Sequence, residues 1–309
     1  MTGIADVFTP EADLGPEWSA ARPPAPRRGR VIRRVLRNPA AVVGLVIVLL
    51  IVLMAVFAPL LAPYNPDVQD LLGKLKPPSS AHWLGTDEYG RDLLSRLMYG
   101  ARVSLLAATE AVAIGCLVGT TLGMIAGFRG GRFDSMSSRV FEITLALPGF
   151  LIAVTVVGVF GPGLTTVMAA VGFLLTPVFF RVSRAATQDV REETYIEGSR
   201  ALGCTTRRIV VRHVLPNAIA PVVVQVAILF GVAITLEASL SFLGLGAQAP
   251  TASWGSMLSN ANSYMSQAPY LMYIPGAMIA ITVLAFSLLG DGLAAALGTS
   301  RSSLAERGR

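Results

Sequence analysis

Residues 40–62 contain no Asp, Glu, Lys or Arg. About 20 apolar residues in a helix span the hydrocarbon core of a bilayer, so this run is predicted to cross a membrane. Further apolar segments follow at about 103–127, 140–160, 164–180, 216–240 and 271–292. Six such segments predict an all-α integral membrane protein, because a helix satisfies its backbone hydrogen bonds internally where lipid offers none. Only 14% of the residues are charged, against roughly 25% in soluble proteins.

The charges that remain are unevenly placed. Of the 25 Lys and Arg, 20 fall in 1–38, 128–139, 181–217 and 298–309, and the other five are Lys74, Lys76, Arg91, Arg96 and Arg102. Basic residues collect on the cytoplasmic side, so both termini are predicted to be cytoplasmic. This pattern accounts for the net charge of +6 without nucleic acid as a partner. Cys116 and Cys204 fall in an apolar segment and in a cytoplasmic one, which argues against a disulfide, and neither has metal-ligand neighbours. The first apolar run is too long for the core of a signal peptide. The predicted organisation is an Arg/Pro-rich tail (1–38), a first transmembrane helix (39–62), an extracytoplasmic region (63–100), a five-helix core (101–297) and a short tail (298–309).

The segment 181–217 differs from its surroundings. It carries Arg181, Arg184, Arg191, Arg200, Arg207, Arg208 and Arg212 together with Asp189, Glu192, Glu193 and Glu197. Asp189 and Glu192 suggest a capped helix start, with the helix running to about Leu202 and ending at Gly203, where glycine takes up a left-handed conformation easily. Thr205 or Thr206 then caps a second helix, and Pro216 is expected to open the next span. Such a helix–turn–helix is suited to docking a soluble protein; an amphipathic linker lying on lipid is the alternative.

The spacing Glu197-x5-Gly203-x11-Leu215-Pro216 resembles the coupling loop of bacterial ABC importer permeases, with Gly198-Ser199 where that pattern prefers two Ala. Arg37-Asn38-Pro39, Phe57-Ala58-Pro59-Leu60, the run from His82 to Arg96, Leu240 to Gly246, Ser253-Trp254-Gly255 and Leu289 to Leu293 extend the likeness over about 37–300. Together they resemble the C-type permease subunit of the dipeptide/oligopeptide/nickel ABC importer branch. The resemblance implies the type I importer permease fold with a cytoplasmic coupling helix, in a bacterial inner membrane. It implies a B-type permease partner, two ATP-binding domains on one or two chains, and an extracytoplasmic solute-binding protein. ATP and Mg would be held by the partners, since the chain lacks the Gly-x4-Gly-Lys-Ser/Thr phosphate loop, and the chain itself would bind no cofactor and catalyse nothing. It implies a coupling surface at Glu197, Gly198, Ser199, Ala201, Leu202, Gly203, Arg207, Leu215 and Pro216.

Acids in apolar spans are costly and face a bundle interior or a wet cavity. Glu110 and Glu237 are therefore candidates for lining the path, with interhelical hydrogen bonding as the other reading, which Glu142 and Asp291 fit better. Asp87, Glu88, Arg91, Asp92 and Trp254 are candidates for docking the binding protein, or for a structural scoop folded over the bundle. A second intramembrane Asp to partner Asp291 is not evident, which argues against aspartyl protease chemistry. An ion-gradient-driven secondary transporter is the alternative function.

Overall fold

The computed structural model describes residues 33–298. Most of the N-terminal tail and residues 299–309 lie outside the described residues. Apart from one isolated bridge between Thr86 and Asp92, the regular structure among the described residues is helical. Five of these helices are long and apolar enough to cross a membrane, and a bent pair supplies a sixth segment.

Helix α1 is Pro39–Val56. The Asn38 side chain accepts from the amides of Ala40 and Ala41, and Pro39 sits in the first turn, where its missing N–H costs little. A short α2, Ala58–Leu61, leads into the 63–92 scoop. Helix α3, Leu93–Arg129, has 37 residues and is about 55 Å long at 1.5 Å per residue. That exceeds the hydrocarbon thickness of about 30 Å, so α3 carries the fold well beyond one membrane face.

The third span was expected to be continuous over 140–160, after a loop at 128–139. Instead only Gly130, at φ +66°, separates α3 from α4 (Gly131–Ala146), and α4 meets α5 (Gly149–Phe160) at an 89° bend. Pro148 is the cause: a residue before proline is pushed out of the helical region, and Leu147 is extended at ψ 141°.

Helix α6, Leu164–Arg191, also outruns its predicted end at 180. No Gly or Pro interrupts residues 178–191, so the helix continues through Asp189, which is an interior position and not the expected cap. The insert's own helix, α7, is Thr194–Ala201, and Glu193 stands at its N-cap. Pro216 does not open a span either. Helix α8 (Thr206–Ile209), a π turn (Val210–Val214) and α9 (Leu215–Phe242) run on as one rod. A proline lacks an amide and crowds the carbonyl four residues back; the wider π turn immediately before it accommodates both defects. Helices α10 (Trp254–Asn262) and α11 (Tyr270–Leu297) complete the chain.

The closest packing is between α3 and α6. Gly115, Gly119, Gly123 and Gly127 recur every fourth residue and so share one face of α3. A Cβ on Gly119 would run into the Thr176 carbonyl oxygen, and one on Gly127 would lie 2.6 Å from that of Arg184. Small residues at such spacing let membrane helices approach through their backbones, where dispersion, not hydrophobicity, holds them. The Ser183 hydroxyl, buried on α6, lies 3.5 Å from the Gly119 carbonyl. Beyond the stripe, the Arg184 guanidinium pairs with Asp134 of α4, with Nη2 donating to Oδ2 at 2.7 Å.

Gly119→Ala is expected to cost about 1–3 kcal/mol through overpacking, seen as a lower melting temperature of the purified protein. Gly158→Ala, at a position with nothing within 4 Å of a new Cβ, is expected to leave that temperature unchanged.

Candidate functional site

The insert folds as a short helix with one side chain seated in a small apolar core. Its C-terminus closes in a Schellman turn: the Gly203 amide donates to the Arg200 carbonyl at 2.9 Å and the Cys204 amide to that of Ser199 at 3.1 Å. Gly203 supplies the required left-handed residue at φ +75°. The second half of the motif then turns back as α8. The Ser199 hydroxyl donates to the Tyr195 carbonyl at 2.8 Å, and Asn217 reaches the Tyr195 hydroxyl at 3.3 Å.

Glu197, Gly198, Ala201, Leu202, Gly203 and Arg207 all face solvent, as does Pro216, while Ser199 and Leu215 are half-buried. Leu202 stands 86% exposed at the tip. Ile196, on the opposite side of α7, is completely buried. It joins Ile209, Val214 and Ala218 in a small core that also packs Phe128 of α3 and Ala186 and Val190 of α6. Sequence reasoning passed over Ile196. Its signal was an apolar residue between Tyr195 and Glu197 on a helix otherwise polar or small.

The scoop spends its charges internally. Asp87 accepts from the amides of Tyr89 and Arg91, each at 2.9 Å, and from the Arg91 guanidinium at 2.6 Å. Arg96 adds a contact to Asp87 at 3.3 Å. Asp92 caps α3, accepting from the Ser95 amide at 2.8 Å, while its other oxygen lies 2.9 Å from His82 Nδ1. Burial raises the Glu88 carboxyl above its ordinary pKa and the charge of Asp87 adds to this, against the pull of Arg91 and Arg96. The Tyr270 hydroxyl ties the scoop to α11 through the Lys76 carbonyl at 2.8 Å.

Asp87, Arg91, Asp92 and Trp254 were candidates for an external dock, yet all four are buried. Their mutual pairing makes that burial tolerable, and they build the scoop from within. Trp254 is wholly enclosed, its indole N–H donating to the Leu97 carbonyl at 3.1 Å. Glu88 is nearly as enclosed beside Arg91.

Glu237 is likewise not on a path surface, being 0% exposed. Ser104 of α3 donates to one of its oxygens at 3.1 Å and Ser241 to the other at 2.7 Å. The same two hydroxyls accept from the amides of Trp254 and Ala247 at 3.2 and 3.4 Å. Glu237 thus joins α3, α9 and the loop leading to α10. Glu110 remains half-buried, on the face of α3 that bears Arg102, Leu106 and Leu117. A cavity of about 630 Å³ opens between α5, α9, α10 and α11, lined by Phe150, Thr235, Ser239, Phe242, Leu258 and Ile279 among others.

Long apolar helices, a bent span and a solvent-facing helical insert define a polytopic membrane protein of permease architecture. The chain belongs to the family of binding-protein-dependent transport system inner membrane components, whose pattern matches residues 119–302. Residues 28–78 match the N-terminal transmembrane domain of oligopeptide transport permease C. The chain is 40% identical to a dipeptide transport system permease of Alkalihalophilus pseudofirmus, over 96% of this chain and 97% of the relative. It is 43% identical to a glutathione transport system permease of Pectobacterium atrosepticum, over 86% and 88%. It is 37% identical to a probable D,D-dipeptide transport system permease of Escherichia coli, over 91% and 95%. The fold is similar to a chain of the inward-facing MetNI methionine ABC transporter, with a TM-score of 0.55 at 20% identity over 65% of this chain and 96% of that one.

Glu237→Ala removes the acceptor for two buried hydroxyls, each of which costs about 1–3 kcal/mol when left unmatched. The purified protein is expected to melt at a lower temperature, and Glu237→Gln, which keeps one acceptor oxygen, is expected to lose less.

Proposed function

We propose that this chain is the C-type permease of an ATP-driven importer of dipeptides or short oligopeptides. It forms the translocation path with a B-type permease and receives cargo from an extracytoplasmic binding protein. The Arg-rich insert faces the cytoplasm, as do both termini, in keeping with the placement of 20 of the 25 basic residues. ATP and Mg sit on the partner subunits; this chain carries no phosphate-loop sequence and acts as the non-catalytic half of the machine. The names of its relatives, for dipeptides, D,D-dipeptides and glutathione, support short peptides as cargo. The large cavity beside α9 supports a mostly apolar path wall, with the hydroxyls of Thr235 and Ser239 and no fixed charge among its lining residues, suited to passing many peptides without gripping one.

The observation that carries the reading is Leu202, an apolar side chain held out in water on a capped helix. Burying a leucine contributes about 1.5–3 kcal/mol, whereas an exposed ion pair at Glu197 contributes about 0–1 kcal/mol. Docking therefore depends more on Leu202 than on Glu197. The ion-gradient alternative loses its best-placed carboxylate, because Glu237 is sealed between helices.

Leu202→Glu is expected to weaken capture of the ATP-binding subunits about 10- to 100-fold and to abolish peptide uptake, with membrane insertion intact. Glu197→Arg is expected to have a smaller effect on capture. Co-purification from the membrane and radiolabelled dipeptide uptake check both; ATP-independent uptake by the Leu202→Glu variant at the native rate would contradict the reading.

A further inference from the structure

We propose that Ile196 is the positioning residue that makes the coupling helix move as one body with α3 and α6. This deepens the coupling reading above and rests on it.

Helix α7 has eight residues, too few to hold its shape alone in water. Ile196 is its one buried residue. Glu197, Gly198 and Ala201 of the helix and Leu202 at its C-cap are exposed to solvent. Ile196 is the side chain that carries a push on that outer face into the apolar core beneath, alongside the chain's own links to α6 and α8. The cluster it enters collects Phe128 from the end of α3, Ala186 and Val190 from the end of α6, and Ile209, Val214 and Ala218 from the rod that becomes α9. One side chain therefore touches a core shared by three membrane helices.

Beyond this core, α3 and α6 are locked backbone to backbone along the glycine stripe. A displacement delivered at Phe128 and Val190 is thus carried up the pair without slippage between the two helices, since close-packed interiors transmit strain. Other links from α7 lie nearer the surface: the Arg200 guanidinium lies over the Phe128 ring at 5.4 Å, the Tyr195 ring lies 5.9 Å from that of His213, and Asn217 donates to the Tyr195 hydroxyl at 3.3 Å. Tyr195, Arg200 and Asn217 are all exposed, whereas Ile196 is fully buried.

Cys204 packs against the same cluster and is one of only two cysteines in the chain. In a Cys116→Ala background it is the chain's sole thiol and reports whether the cluster is closed. The test uses the complete importer in proteoliposomes and reads three quantities: retention of the ATP-binding subunits, peptide taken up per ATP hydrolysed, and the rate at which maleimide alkylates Cys204. With Ile196→Ala, the ATP-binding subunits are expected to stay bound and to hydrolyse ATP. Uptake per ATP is expected to fall about 2- to 30-fold, and Cys204 is expected to react faster. Ile196→Leu is expected to restore most of the coupling.

Native uptake per ATP in Ile196→Ala would overturn the proposal, as would an equal loss in Ile196→Leu. Should Ile196→Ala fail to accumulate, Ile196→Val provides the same comparison with a smaller deletion, and unchanged coupling there would overturn it too. Absence of ATP-binding subunits from the unsubstituted complex would instead remove the coupling reading on which the proposal stands, a failure visible before any variant is made.

Discussion

The backbone contact between α3 and α6 governs the rest of this structure. Four glycines spaced four apart offer no side chain from α3, and backbone carbonyls and first side-chain atoms of α6 lie where their Cβ atoms would be. Lipid supplies no hydrophobic drive between membrane helices, so closeness of approach and packing must hold them. Both helices outrun their predicted spans, and their ends serve as the platform for what lies outside. At one end of α6, Arg184 fixes α4 through Asp134, and Val190 and Ala186 receive the insert. At the start of α3, Asp92 and Arg96 tie down the scoop, and Ser104 reaches Glu237.

The two ends of the molecule are built on different physics. The scoop is a polar network in which buried acids and arginines satisfy one another, and its order depends on every partner being present. The insert is a small apolar core beneath an exposed and mostly polar surface, with one leucine displayed at the tip. The first arrangement suits a rigid cap over the bundle. The second suits a lever, because a hydrophobic seat tolerates being pushed as a unit while its outer face exchanges water for a partner.

Much of the fold was legible in the apolar segments, because lipid forces the chain into helices. Breaks were harder to read. Pro148 splits a run that hydropathy averages into one span, whereas Pro216 splits nothing, since a π turn absorbs it. The glycine stripe was present as a four-residue repeat, but a hydropathy reading treats each glycine as near neutral and misses their shared face. In the insert, Gly203 announced its turn because only a left-handed residue closes a Schellman motif cheaply. Ile196 did not, because which side of α7 turns inward depends on where α3, α6 and α9 end. The acids followed the same rule. Asp87, Asp92 and Glu237 looked like surface or path residues as isolated charges, and became interior ones once their partners were in place: Arg91 and Ser95 nearby in the chain, and for Glu237 Ser241 one turn on and Ser104 far away in sequence.

The most direct test of this account places a photo-crosslinking amino acid at position 202 in the importer's native membrane. If the insert is seated in an ATP-binding partner, illumination yields an adduct between this chain and an ATP-binding subunit, and the yield changes when ATP is trapped. Adducts with lipid alone, in both nucleotide states, would contradict it.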